Sequence, residues 1–135
     1  MFRKSFRPLC RGKPIESLFQ DWNAALATGE PAKVAALYAP NAILLPTVSN
    51  QVRHNFTEIE DYFKNFLLKG PQGVIDESNV RTYGDVAINS GVYTFTLTKE
   101  NNTKVQARFT FAYRWNGQKW EIIEHHSSAM PEGQK

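Results

Sequence analysis

The chain has 135 residues, 41% of them apolar and 21% charged, which is enough to bury one core and too short for two. Aromatic residues make up 13%, which excludes a disordered chain, and no apolar run approaches the roughly 20 residues a helix needs to cross a bilayer. The net charge of +3 is uneven: Arg3, Lys4, Arg7, Arg11 and Lys13 sit without any acid in residues 1–13, leaving eleven basic against thirteen acidic residues in the remainder.

The part expected to fold is therefore mildly acidic, which argues against a nucleic-acid partner. Residues 1–13 read as a basic flexible tail, a targeting or linker remnant. If it is a targeting remnant the chain is organellar, in a plastid or mitochondrion; otherwise it is expected in the cytoplasm. The single cysteine, Cys10, excludes an internal disulfide framework and a Cys-based zinc site and suits a reducing compartment. Residues 14–132 read as one domain with no membrane association.

Residues 14–28 predict an amphipathic helix, because Ile15, Leu18, Phe19, Trp22 and Leu26 form one stripe at a 3.6 period. Pro14 suits its first position and Gly29 its end. A short helix is expected over 31–38, stopped by Pro40, then a short strand over 42–45 closed by Pro46. Thr57-Glu58-Ile59-Glu60 reads as a capping box opening a helix that buries Ile59, Tyr62, Phe63, Phe66 and Leu67, with Gly70-Pro71 as its stop. The period then becomes 2. Strands are expected over 73–82, 86–98, 104–115 and 119–128, the third with Val105, Ala107, Phe109, Phe111, Tyr113 and Trp115 on one face. Asn116-Gly117 predicts a tight type I′ hairpin turn. This order is α+β. A strongly bent antiparallel sheet wrapped around the helices as a cone and a flat two-layer sandwich both satisfy it.

Motifs for nucleotide binding, nucleophile elbows and helical zinc sites are absent from the sequence. The last strand is the chemical segment. Strand alternation puts His126 and Ser128 on one face with Trp120, Ile122 and Glu124, and His125 and Ser127 on the other. Adjacent histidines on a strand point oppositely, and the third histidine, His54, lies in a loop, so a three-His zinc site is not formed. A one-His site assisted by Glu124 is the weaker metal alternative. Thr47 follows the first strand, and Tyr62 faces inward on a helix, where its hydroxyl needs a partner. Taken singly, each of these has a plain structural role. Converging on an aromatic cavity, they make a small-molecule site.

The segments LYAPNAILLPTVSN (37–50), IEDYFKNFLLKGPQG (59–73), SGVYTFTL (90–97), ARFTFAYRW (107–115) and KWEIIEHHSSAMPE (119–132) resemble one family throughout. It is the group similar to the association domain of calcium/calmodulin-dependent protein kinase II, within the nuclear-transport-factor-2-like superfamily. The LLPT and HHSSAMP segments resemble the iota class of carbonic anhydrases. The resemblance implies the cone rather than the flat sandwich, and dimers or higher homo-oligomers through the outer sheet face. It also implies reversible hydration of carbon dioxide to bicarbonate with no cofactor and no metal. By motif it implies a site of Thr47, Tyr62 and one His–Ser pair. His126 with Ser128 is preferred, for sharing a face with Trp120 and Ile122, and His125 with Ser127 is the alternative. His126 would then activate water while Thr47, Tyr62 and Ser128 bind substrate and stabilise charge. Relatives with three consecutive histidines differ from this chain at Glu124. A non-enzymatic hub domain and a small-molecule isomerase or binding module are the competing expectations, the latter requiring an inward carboxylate for which Glu124 is the candidate.

Overall fold

The computed structural model describes residues 14–132; the basic tail and Cys10 lie outside them. Helix α1 (Ser17–Ala27) starts later than the sequence predicts. Pro14 instead makes the turn before it, its carbonyl accepting from both the Ser17 amide and hydroxyl at 3.0 and 2.7 Å. The expected stripe is buried, with Phe19, Trp22 and Leu26 at 1–2% exposure. Helix α2 (Pro31–Ala35) is shorter than expected, because the chain turns extended at Tyr38, before Pro40. Strand β1 (Tyr38–Leu45) accommodates that proline at the sheet edge, where a missing amide costs no ladder bond.

Helix α3 (Phe56–Phe66) opens two residues earlier than the Thr57 box. Asn55 is the cap, its side chain accepting from the Glu58 amide at 3.0 Å, and the Glu58 carboxylate reaches back to the His54 amide at 2.8 Å. Both Asn-x-x-Glu and Thr-x-x-Glu are present, and asparagine is the better cap. A 3₁₀ turn (Leu67–Lys69) follows, and Gly70, with φ of 64°, ends the segment.

Strands β2 (Pro71–Tyr83), β3 (Val86–Leu97), β4 (Thr103–Trp115) and β5 (Trp120–Ala129) form an antiparallel meander. The sheet order is β1-β5-β4-β3-β2, with β1 added parallel to β5. The β4–β5 hairpin turns one residue later than predicted. Asn116 and Lys119 flank the tip, bonded from the Asn116 amide to the Lys119 carbonyl at 3.0 Å, and Gly117 takes φ of 102°. A left-handed first tip residue suits glycine, so the Asn116-Gly117 signal is right and its placement is shifted by one.

Two bulges shape the sheet. In β2, Ile75 pairs with Tyr93 and Glu77 with Val92, leaving Asp76 as an extra residue. In β5, Ile122 pairs with Tyr113 and Glu124 with Ala112, leaving Ile123 as an extra residue. Bulges bend a strand and raise its twist, which is how this sheet curls around α1 and α3. Its concave face is nearly all aromatic, with Tyr93, Phe95, Phe109, Phe111 and Tyr113 buried. Trp22 is the hub of the core: its ring meets those of Phe19, Phe63, Tyr93, Phe95, Phe111 and His125, with centroids 5.4–6.4 Å apart.

Candidate active site

The Ile123 bulge decides which histidine enters the core. Upstream of it Ile122 points inward; after one extra residue the alternation resumes in the opposite phase. His125 and Ser127 are therefore buried at 3% and 6% exposure, while Glu124 and His126 are exposed and Ser128 lies half-buried on the outer face. The preference for His126 with Ser128 is thus overturned in its geometry, since strict alternation from Ile122 does not hold across a bulge. The pair inside is His125 with Ser127.

Thr47 is brought to this pair by the loop after β1. Leu44 and Arg53 exchange two backbone hydrogen bonds at 2.9 Å, closing the loop on itself, and Pro46 fixes the entry. The Thr47 hydroxyl then bonds that of Ser127. Tyr93 Oη donates to Ser127 Oγ at 2.7 Å and lies 3.2 Å from His125 Nε2. His125 Nδ1 is 2.8 Å from Tyr38 Oη, which is 3.2 Å from the indole nitrogen of Trp22. The imidazole is sandwiched as well as bonded, stacked on Phe111 at 3.9 Å and 17°.

These groups border a cavity of about 230 Å³. Thr47, Tyr62, Lys69, Tyr93, His125 and Ser127 bring polar side chains to it, and Phe63, Phe66, Phe95, Leu97 and Val105 make much of its apolar wall. Tyr62 comes from α3, beneath the Arg53 guanidinium, which sits 5.6 Å from the ring centroid. Arg53 is neutralised by Asp61 at 3.0 Å, and Lys69, at the rim, by Glu100 at 3.1 Å. Among the described residues no carboxylate lines the cavity, and Glu124, the candidate base of an isomerase, is on the opposite face.

Burial sets the charge state. It pulls the His125 imidazole down to about 3, with the neighbouring His126 adding to the effect, so the ring is neutral at ordinary pH. It also raises the phenols of Tyr38, Tyr62 and Tyr93 above their usual value, which keeps them protonated donors. Among the described residues no group of three His, Cys, Asp or Glu side chains is placed to hold a metal ion.

Of the expected residues, Thr47 and Tyr62 line the cavity, the alternative pair His125 and Ser127 joins them, and His126 and Ser128 do not. Tyr38 and Tyr93 escaped the sequence reading. The signal was present for Tyr93, an inward tyrosine in the alternation of β3 whose buried hydroxyl requires a partner.

Comparison with known proteins agrees with this architecture. The family model for the calcium/calmodulin dependent protein kinase II association domain matches residues 11–131. A Xanthomonas campestris crystal structure described as such an association domain is 54% identical, covering 96% of each chain with a TM-score of 0.86. More distant structures share the fold alone. One is a nuclear-transport-factor-2-like protein with a cystatin-like fold from Novosphingobium aromaticivorans, at 11% identity, 93% and 85% coverage and a TM-score of 0.76. Another is a Parabacteroides distasonis protein described as a ketosteroid isomerase, at 18%, with 90% and 92% coverage and 0.72. No curated protein matches the sequence. With a family model spanning nearly the whole of the described domain, the chain belongs to the calcium/calmodulin-dependent protein kinase II association domain family.

Proposed function

We propose that the chain is a carbonic anhydrase of the iota type, hydrating carbon dioxide to bicarbonate in the Thr47–Tyr62–His125–Ser127 cavity. The observation that supports this reading is the meeting of hydroxyls from Thr47, Tyr62, Tyr93 and Ser127 with one neutral imidazole in a cavity whose remaining lining, apart from Lys69, is largely apolar. Carbon dioxide has no net dipole and partitions onto such a wall. As a water oxygen bonds to its carbon, one C=O pair of electrons moves onto oxygen. Hydroxyl donors preorganised at that oxygen stabilise the growing charge, a part this reading gives to Thr47 and Tyr62. The attacking water releases its proton through the open rim to solvent or buffer, and bicarbonate leaves.

His125 does not take that proton. Both ring nitrogens are engaged by tyrosine hydroxyls, so the role first assigned to a histidine as activator of water gives way to one of orienting the hydroxyls. Stopped-flow hydration with pH indicators tests the reading. Chelator-treated protein is expected to accelerate hydration in a buffer-dependent manner, and a rate no faster than the buffer blank would refute it.

Membership of an association-domain family supports a second, compatible reading, self-association. The outer sheet face offers Arg108, Thr110 and Ala112 opposite Ser128, His126 and Glu124, a surface of short and mixed-charge groups that a second copy can cover. Sedimentation velocity is expected to give a dimer or larger closed oligomer, and a monomer at tens of micromolar would dismiss this reading.

A further inference from the structure

The groups between Trp22 and Thr47 form one continuous line of hydrogen bonds through the core, and counting donors gives the line a direction. An indole N–H only donates, and Trp22 Nε1 lies 3.2 Å from Tyr38 Oη, so that oxygen accepts there. The single Tyr38 proton is left for His125 Nδ1, 2.8 Å away, which makes Nδ1 the acceptor. A neutral imidazole then carries its proton on the other nitrogen, and Nε2–H donates to Tyr93 Oη. Tyr93 donates to Ser127; the Ser127–Thr47 contact admits either donor, and continuing the line in the same sense makes Ser127 the donor and leaves the Thr47 proton facing the cavity. Running the line backwards would leave the Tyr38 proton buried without an acceptor, an arrangement folded proteins avoid.

We infer that Tyr38, which does not itself line the cavity, acts with Trp22 as a positioning residue that orients this line, so that Thr47 presents a hydrogen-bond donor to the occupant and His125 serves as an uncharged Nε2–H relay. Burial favours the same neutral ring. The inference rests on the proposed hydration only in assigning the donated proton to an oxygen of carbon dioxide; the direction of the line from Trp22 to Ser127 stands on geometry alone, and its last step takes Ser127 as donor to Thr47.

Nitrogen-15 NMR of the histidine rings in the full chain reads the tautomer directly, with His125 assigned by comparison with His54→Gln and His126→Gln. The expected spectrum has a pyrrole-type Nε2 and a pyridine-type Nδ1, unchanged from pH 8 to pH 5. An Nδ1–H tautomer, or an imidazolium at pH 6, would overturn the inference. In Tyr38→Phe the lock is gone, so a second tautomer is expected to populate and hydration to fall about fivefold. A folded variant that keeps a single tautomer would remove Tyr38 from the role. Should the variant not fold, the wild-type spectrum decides. A wild-type protein with the Nε2–H tautomer but no hydration activity would refute the proposed function and leave this inference intact.

Discussion

Thr47→Val is expected to lower kcat for carbon dioxide hydration roughly a hundredfold, about 2.7 kcal/mol of activation free energy, with little change in KM. The substitution keeps the shape and removes a hydroxyl that lines the cavity, so the apolar wall that receives carbon dioxide in the proposed reaction is left in place. Ser127→Ala is expected to cost less, about tenfold. Thr47 then retains its own proton and loses only the neighbour that aligns it. The ordering is the signature: a reversed order, or Thr47→Val within twofold of the wild-type rate at unchanged thermal midpoint, would remove these hydroxyls from the chemistry. The two residues bond each other, so the double variant should fall short of the product of the single losses.

Acidification should weaken the fold in a window set by His125. Its pKa is about 3 in the folded chain and about 6.5 when unfolded. Between those values the unfolded state binds the extra proton, so stability rises with pH there and falls as pH drops. The contribution is complete above about pH 6.5 and declines by about 1.4 kcal/mol per pH unit below it. Urea unfolding from pH 7 to pH 5 should therefore show a loss of about 2 kcal/mol. The Glu58 carboxylate, held below its ordinary value chiefly by hydrogen bonds from His54, adds a loss of the same sign that sets in as pH approaches the ordinary carboxylate value of about 4.3, at the acid end of this range. His125→Gln should flatten the profile. A wild-type profile already flat between pH 6.5 and pH 5 would show that the imidazole is not held neutral.

Most of the architecture is legible in the sequence because it rests on periodicity. The 3.6-residue stripe of Phe19, Trp22 and Leu26 and the alternation from Val105 to Trp115 give elements whose faces the structure reproduces. The errors fall where local signals compete. Asn55 and Thr57 both offer a cap three residues before a glutamate, and the stronger capping preference of asparagine decides between them. The parallel pairing of β1 with β5 is a long-range property that no local pattern encodes. The error that matters for chemistry is the histidine. Ile122 and Ile123 are both plausible inward residues, and nothing in a run of two isoleucines says that one of them is an insertion in the ladder. Once that residue is counted as a bulge, the inward set downstream becomes His125 and Ser127. Tyr38 was hidden by its neighbourhood, since as the last residue of the predicted helix over 31–38 it reads as ordinary packing.

Because histidine and serine each occur as a doublet in β5, the outer half of that strand carries the same alternation in either phase. Were Ile123 instead drawn into the ladder as an ordinary pleat residue, His125 and Ser127 would turn outward and His126 and Ser128 inward, so that an imidazole followed two positions later by a hydroxyl would again face Tyr93 and Thr47. The chain thus holds a second copy of its inward His–Ser pair, one step of register away. Strand β3 has no such redundancy, since the same slip there would exchange Tyr93 for Thr94 and cut the line at its midpoint.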